Sequence, residues 1–503
     1  MSSALLHGPE LARQLEKLAQ VPALQVLAEL AAAREVQVYL VGGTVRELLL
    51  GRETHDLDLA VDRQTLELAQ ALAARLGGTY VLLDEQQRSA RVVWQGLEID
   101  LTEFRGPDLA SDLQGRDFTV NAMAIDLQAF WQAGSPAIID PWGGQADLTA
   151  GRLQLLRPEN FQKDPLRLLR AFRFAATHGF TLSPAVRAAV PQYGPAITGI
   201  PGERLHQELF RLLGAPHAAP VLQEMDALGF LEQIFPELAE MKGVWQNGYH
   251  HLDVFQHSLE AVAQLELVLA EPSAFFGQAR QLVADYCRQD KKPALVKLAA
   301  LFHDVGKPPT QAYRPDRERY TFYYHDHLGV EIFRGAAARL RFSQEETATV
   351  SRLIALHMRP FLLLPDFRAG QLSQRALARF IKAARPDLAG VFLLAMADSL
   401  AGQGSLKPAN AEAVLADFCD AVHLFLTARL EPLEQRPRLL TGNDLIQRLH
   451  LKPGPEFRRL LAAVEEAALE GQVATREEAL DLVRKLLAAE QGIKQGIGMR
   501  DEG

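Results

Sequence analysis

Strand-forming segments stop near residue 160 of this 503-residue chain, and no other feature constrains its fold as tightly. Before that point short apolar runs recur: VYLV (38–41), DLDLAV (56–61), TYVLL (79–83), ARVVW (90–94), LEIDLTEF (97–104), AIDL (124–127) and AIID (137–140). Each has the length and β-branched content of a strand. Beyond it, Ala/Leu-rich helical periodicity runs to about residue 490. The pattern predicts an α+β protein: a helical lead-in over 1–30, an α/β head over 31–160, and a long all-α arm. A chain of this length exceeds what one core supports, so three or more domains are expected. Proline clusters near 191–201, 308–315, 360–365 and 431–437 mark joints in the arm. The arm is expected to comprise segments 161–245, 246–405 and 406–503.

Composition excludes several classes. No apolar run reaches the roughly 18 residues of a membrane span, so no membrane partner is expected. The start, MSSALLHGPELARQ, lacks a basic segment followed by an apolar one, and reads as a chain without an export signal. Cys287 and Cys419 stand alone, without metal-ligand spacing, which fits a reducing cytoplasm. The net charge of −9 is not that of a chain basic throughout, so any polyanion must meet a local patch. One candidate is 161–211, with seven Lys/Arg against three acids, a net of +4.

The chemistry concentrates in VYLVGGTVRELLLGRETHDLDLAVD. VYLV reads as a buried strand, Gly42-Gly43 as a tight turn, and Thr44–Leu50 as a helix start carrying Arg46. DLDLAV reads as a second strand. Side chains alternate across a strand, so Asp56 and Asp58 share one face while Leu57 and Leu59 enter the core. Two carboxylates about 7 Å apart form a hard oxygen cage suited to Mg²⁺. Beside a phosphate-sized turn, they suggest metal-assisted phosphoryl or nucleotidyl transfer. LEIDLTEF offers a third strand acid, Asp100, on one face with Glu98. In GRDFTVNAMAID (115–126), Arg116 suits a phosphate and Asn121 a ribose hydroxyl, with TVNAMA read as helical. In KDPLRLLRAFRFAATHGF (163–180), Pro165 opens a helix. Asp164 and Arg167 offer a planar acceptor–donor edge, the complement of a nucleobase. Arg170 and Arg173 continue the band toward a triphosphate.

These segments, with GERLHQELFRLL (202–213), resemble the successive motifs of class II tRNA nucleotidyltransferases. That family includes CCA-, CC- and A-adding enzymes and bacterial poly(A) polymerases. The resemblance covers about residues 25–215 in order. It implies a polymerase-β-like nucleotidyltransferase head and a helical neck over 161–245. It also implies tRNA, CTP and ATP as partners. Asp56 and Asp58 would hold two Mg²⁺, with Asp100 as third carboxylate. Gly42, Gly43 and Arg46 would meet the triphosphate. Arg116 and Asn121 would contact phosphate and sugar. Asp164 and Arg167 would read the base, with Arg170 and Arg173 nearby. Three departures stand out. Lys163 replaces the usual Glu, and Gly115 replaces the first Arg of an Arg-Arg-Asp-Phe run. The segment between Arg105 and Arg116 is only GPDLASDLQG, where CCA-adding members carry a longer flexible loop tied to the switch from C to A addition. CC addition is therefore expected. Full CCA addition and poly(A) synthesis are the alternatives, the latter disfavoured by the missing GRRF-type signature.

A second constellation lies in the arm: HLDVFQHSLEAV, LAALFHDVGKPPT, HDHLGVE, LIALHMRP and AMADSLAG. Histidines and aspartates from separate helices can converge on a divalent ion. The set resembles HD-domain metal phosphohydrolases. The resemblance implies His257, His303, Asp304 and Asp398 as core ligands and His325 and His357 as ligands of a second metal. Ni²⁺ or Mn²⁺ would be the ion, and phosphodiesterase or phosphatase activity the outcome. A mainly hydrolytic protein with a decayed head is the competing class. His250, His251 and His327 have no counterpart. Residues 441–487 resemble the C-terminal segment of many such enzymes, and from sequence serve equally as a tRNA-elbow grip or a packing hairpin.

Overall fold

The computed structural model describes residues 5–6, 9–54, 56–133 and 137–498. They fall into two compact units, residues 1–239 with 338–342, and 240–337 with 343–503. The first unit begins with helices Pro9–Ala19 and Pro22–Arg34 and contains a seven-stranded sheet. Its strands are β1 (Val38–Val41), β2 (Asp56–Val61), β3 (Thr79–Asp84), β4 (Ser89–Trp94), β5 (Leu97–Glu103), β6 (Ala124–Asp126) and β7 (Ile138–Ile139), in the order β3-β4-β5-β2-β1-β6-β7. Only β2 and β5 run parallel. All seven segments expected as strands are strands.

The alternation in DLDLAV works as the pleat requires. Leu57 and Leu59 are buried with Ile99, Leu101 and Val92, while Asp56 is exposed and Asp58 half-buried. Each such buried aliphatic contributes about 1.5–3 kcal/mol. A one-residue slip of β2 would turn its acids into the core, so burial of the leucines fixes the site's register.

Two local readings are corrected. The Gly-Gly turn is the start of a helix, Gly42–Leu49, with Gly42 at φ +65°. TVNAMA is one 3₁₀ turn, Thr119–Asn121, running straight into β6, because Ala124 must pair with Val41. Two small sheets also escaped the strand pattern. They are β8 (Arg152–Leu153) with β9 (Thr181–Leu182), and the hairpin β10 (Ala312–Arg314) with β11 (Arg319–Thr321). Runs of two or three residues are too short for period-two alternation to show.

The second unit is helical apart from that hairpin. Helix Leu388–Ala401 is buried nearly all round, and packs against Val254–Ala270 and Lys292–Phe302. It has almost no polar stripe, as a central helix requires. Its one buried acid, Asp398, therefore needs partners inside the core. Among the described residues, no helix is long and apolar enough to cross a membrane.

Candidate active sites

The head site forms where β2, β5 and the helix after β1 meet. Parallel register sets Asp56 beside Glu98 and Asp58 beside Asp100, so all four acids share one sheet face. The Gly43 N–H donates to Asp58 Oδ2 at 3.1 Å. The Thr44 hydroxyl accepts the Asp58 N–H at 2.7 Å, tying the helix start to β2. Glycine is required there. A Cβ on Gly42 would lie 2.8 Å from Arg116 Nη1, and one on Gly43 3.1 Å from Asp58 Oδ2. Gly42 also holds a left-handed φ that other residues resist. Gly42, Gly43, Asp58, Asp100 and Arg116 are thus one cluster.

Burial pushes the Asp58 carboxyl up, and Asp100 adds to it, against Arg116, the Gly43 N–H and Arg46. A carboxylate pair with its oxygen donors on one face fits a divalent cation. Asp100 already has a cation. Arg91 on β4 grips it with two parallel bonds, 2.7 and 2.9 Å, and also meets Glu98. Arg91 escaped sequence reasoning because its place opposite Asp100 depends on the β4–β5 register.

The basic residues behave less alike than their sequence spacing suggests. Arg116 pairs with Asp112 at 3.1 Å and abuts the glycine turn. Arg46 is buried, bonds Asn121 and Glu47, and lies 4.7 Å over the Phe174 ring. Glu47 is held down to about 2: burial opposes this, but bonds from His178 and Arg46 prevail. Asn121 spends both ends of its amide, accepting from Arg46 and donating to Asp117 at 2.8 Å. Asp117 sits at about 2 despite burial, chiefly because of Arg170, 3.1 Å away. Arg173 is buried against Glu208 at 2.6 Å, and Arg167 donates to the Gly115 carbonyl at 3.1 Å. Asp164 meets Arg204 at 2.9 Å. Arg170 and Arg173 thus lock the helix Leu166–His178 to internal acids, while Arg116 remains beside the carboxylates.

The segment between Arg105 and Arg116 is ordered. Asp108 caps helix Leu109–Gln114 through Ser111 at 2.8 Å. Asp112, buried, accepts from the Arg105 N–H at 3.3 Å as well as from Arg116.

The second unit gathers all six predicted HD residues. His257 Nε2 lies 2.9 Å from Asp398 Oδ1, and His303 Nε2 lies 3.1 Å from Asp304 Oδ2. On the other side of Asp304, Oδ1 is 3.5 Å from His325 Nε2 and 3.7 Å from His357 Nε2. His257, His303 and Asp304 form one triad of possible ligands, and Asp304, His325 and His357 another.

Tautomers support a metal reading. His303, His325 and His357 each place Nδ1 2.7–2.8 Å from a backbone carbonyl, of Ala300, Phe322 and Ile354. Nδ1 must therefore donate, which leaves Nε2 of a neutral ring as a lone pair aimed inward. Burial favours that form in His325 and His357, whereas in His303 burial is outweighed by the Asp304 carboxylate, which pushes the imidazole up. His325 and His357 point two such atoms at each other, 3.2 Å apart. Asp304 Oδ1 is buried without a hydrogen-bond partner. Burial and the neighbouring histidines push His357 down to about 3, so it is neutral and ready to ligate.

Two further residues join this cluster. Lys307 of His-Asp-Val-Gly-Lys reaches Asp304 Oδ2 at 2.6 Å. His250, which had no sequence counterpart, lies 4.5 Å ring to ring from His257 and is pushed to about 3 by burial and Lys307. Gly306 is needed for closeness: a Cβ there would meet the His325 carbonyl at 2.1 Å.

A parallel strand pair bearing the acids beside a glycine-opened helix, joined to a helical body, defines a nucleotidyltransferase with an HD domain. Family models match accordingly: the poly A polymerase head domain at 38–154, the probable RNA- and SrmB-binding site of polymerase A at 179–242, the HD domain at 254–403, and tRNA nucleotidyltransferase domain 2 at 430–483. The chain is 35% identical over 451 residues to an A-adding tRNA nucleotidyltransferase of Deinococcus radiodurans, covering 89% of this chain and 94% of that one. It is 36% identical over 445 residues to a CC-adding tRNA nucleotidyltransferase of Thermus thermophilus, covering 87% and 91%. A solved CCA-adding enzyme of Thermotoga maritima, complexed with tRNA, shares the fold at a TM-score of 0.62 and 20% identity, covering 96% of this chain and 100% of that one. The chain belongs to the tRNA nucleotidyltransferase family, whose members are enzymes that use a divalent metal.

Proposed function

We propose that this protein adds C residues to the 3′ end of tRNA from CTP and stops at CC. The observation that carries the transfer reading is the pairing of Asp58 with Asp100 across parallel strands, with Asp58 held by the Gly43 N–H. Asp56, Asp58 and Asp100 are the residues that would hold Mg²⁺. When bound, the metal supplies Lewis acidity at the attacking oxygen and the leaving phosphate. The tRNA 3′-oxygen attacks the α-phosphorus of CTP, and pyrophosphate leaves. The Gly42-Gly43 helix start lies beside the triphosphate, with Arg116 supplying positive charge. Asp164 and Arg167 form the base-reading edge, Asp164 oriented by Arg204 and Arg167 by the Gly115 carbonyl. Arg46, Asn121, Arg170 and Arg173 act from behind, keeping that helix in place.

The stop at CC is supported by the short segment after Arg105. Its capped helix and buried Asp112 leave no slack for a moving loop. Overall similarity does not choose between bases, since the A-adding and CC-adding relatives are equally close. We assign residues 31–160 to the head, 161–245 to a neck, 246–405 to the HD domain and 406–503 to a tRNA-gripping tail, behind the helical 1–30. Cytoplasmic work is the reading we give to two free cysteines and, among the described residues, no helix of membrane length. The test is a primer-extension ladder on tRNA lacking CCA, ending in C, and ending in CC, with CTP and ATP supplied separately and together. Extension of the first substrate to CCA would overturn the stop at CC. Long tails on free RNA with ATP would indicate poly(A) synthesis.

A second reading concerns the HD cluster. The inward Nε2 lone pairs of His303, His325 and His357 favour a hydrolytic metal site taking Ni²⁺ or Mn²⁺. Metal-dependent hydrolysis of adenosine 2′,3′-cyclic monophosphate tests it. Bound metal without turnover would make the site structural.

A further inference from the structure

We propose that residues 312–324 form a stacking platform for the unpaired bases of an RNA 3′ end, on the outer side of the HD cluster. The inference rests on the hydrolytic reading of that cluster and supplies its substrate class.

Tyrosine distribution is the first observation. The chain has nine tyrosines, and Tyr313, Tyr320, Tyr323 and Tyr324 fall within one hairpin and its exit. Their exposures are 53, 41, 57 and 76%. A ring kept for packing would be buried. Tyr324 also sits at φ +65°, a conformation uncommon outside glycine. A bulky ring held in solvent on such a backbone suits binding better than folding.

The rings are arranged with cations. Tyr313 and Tyr320 pair edge to face across β10 and β11, 5.3 Å apart. The Arg314 guanidinium lies 5.8 Å from the Tyr323 ring, and Arg319 is its register partner. A groove of about 850 Å³ opens beside them, lined by Tyr323, Tyr324, His327, Arg334 and Arg352, the last already held by buried Asp387, with one acid, Glu331. Glu331 is already paired with Arg334 at 2.8 Å.

Position supplies the link to chemistry. His325, whose buried Nε2 faces Asp304, lies between Tyr324 and His327 in the chain. Arg352 sits on helix Gln344–Leu356, which ends at His357. Lys307 Nζ bonds Asp304 and lies 5.7 Å from the Phe322 ring, at the root of the hairpin. The segments whose inner faces give the metal-type ligands thus give the groove its outer faces. Open aromatic faces interleaved with guanidinium groups select unpaired bases, because a duplex hides its base faces. A terminal phosphate reaching Lys307 and the cluster leaves the preceding bases at the tyrosines.

The test uses the full-length protein and a hexaribonucleotide ending in 4-thiouridine with a 2′,3′-cyclic phosphate. Photocrosslinks are mapped by mass spectrometry, which separates this site from RNA bound at the head. The expected result is a crosslink within 312–334. It falls about tenfold in Tyr323→Leu/Tyr324→Leu and is retained in Tyr323→Phe/Tyr324→Phe. Adenosine 2′,3′-cyclic monophosphate competes weakly if several bases are held, as proposed; full competition at equal concentration would overturn the multi-base platform. Crosslinking unchanged in the Leu variant, or mapped elsewhere, overturns the proposal. Crosslinking at the hairpin without hydrolysis sinks the hydrolytic reading alone. Hydrolysis with no hairpin crosslink sinks the platform alone.

Discussion

The two acid-rich sites are built on opposite plans. In the head, the carboxylates stand on one open sheet face, where Asp56 is exposed and Asp58 and Asp100 are half-buried. Strand register places them, and arginines balance their charge from the side. In the second unit, His257, His303, Asp304 and His357 are at most 1% exposed and face one another. Helix packing places these, and backbone carbonyls fix the tautomers of His303 and His357. An open face suits a site that must admit a triphosphate and an RNA end together. A cluster closed except at His325 and Asp398, which are 8 and 7% exposed, suits a resident ion that a single substrate group reaches.

The largest expected effect lies in the head. Asp56→Ala and Asp58→Ala are each predicted to lower nucleotide incorporation by about a thousandfold or more, since each removes a metal-bearing carboxylate. tRNA affinity, measured by filter binding, stays within about twofold, as shape and phosphate contacts govern it. Loss of binding along with activity would show that the pair is structural. Asp58→Asn carries a second expectation. Burial has raised this carboxyl, so its charge costs stability above the ordinary carboxylate range. The metal-free Asn variant should therefore melt higher than wild type at pH 7, by calorimetry.

Next comes the closed cluster. His303→Ala should lower metal affinity about 10- to 100-fold, read by metal content after dialysis. CTP incorporation by the head should be unchanged. A parallel fall in incorporation would join the two sites that the comparison separates.

How far the contrast was readable follows from the same construction. The head was legible because a two-residue period reports which side chains share a face, and the buried leucines of DLDLAV make that period unambiguous. Asp56, Asp58 and Asp100 followed from it. Arg91 did not, because its partner is set by β4–β5 register and no local pattern encodes that. The partners of Arg170 and Arg173 were hidden for a related reason. A three-residue spacing gives a band on a helix but not the acids, Asp117 and Glu208, that claim it. The histidine cluster was legible only through resemblance to known motifs. Six ligands from five separate segments leave no periodic trace, which is why His250 went unassigned. The hairpin at 312–321 was too brief to register.

A smaller effect distinguishes Asp117 from Asp58 on the same unit. Arg170 and the Asn121 amide hold the Asp117 carboxyl at about 2, below the model-peptide value of about 3.9. A lowered carboxyl contributes stability that is complete above its unfolded pKa and vanishes as pH falls through its folded one. Asp117 should thus contribute about 2 kcal/mol above pH 5, lost between about pH 4 and 2. Asp117→Asn should flatten that limb in urea titrations at successive pH values. Asp58 bends the curve the other way. A variant that kept the full acid limb would place the slope in other groups, such as Glu47.

The smallest effect tests whether the open site is tuned from its edge. Arg91 holds Asp100 with two bonds and also meets Glu98. Removing it adds one net negative charge beside the metal-bearing face. At roughly 6 Å in a solvated setting, one charge acting on a divalent ion is worth about 1.4 kcal/mol. Arg91→Ala should therefore bind Mn²⁺ roughly tenfold more tightly in electron paramagnetic resonance titrations, less so at high salt. Incorporation should nonetheless fall, because Asp100 loses the fork that orients it. Tighter metal with slower transfer would mark Arg91 as a positioning residue that trades affinity for geometry. Weaker metal with slower transfer would mean that Asp100 collapses without its arginine, and the head would then resemble the closed cluster in depending on a preformed ligand shell.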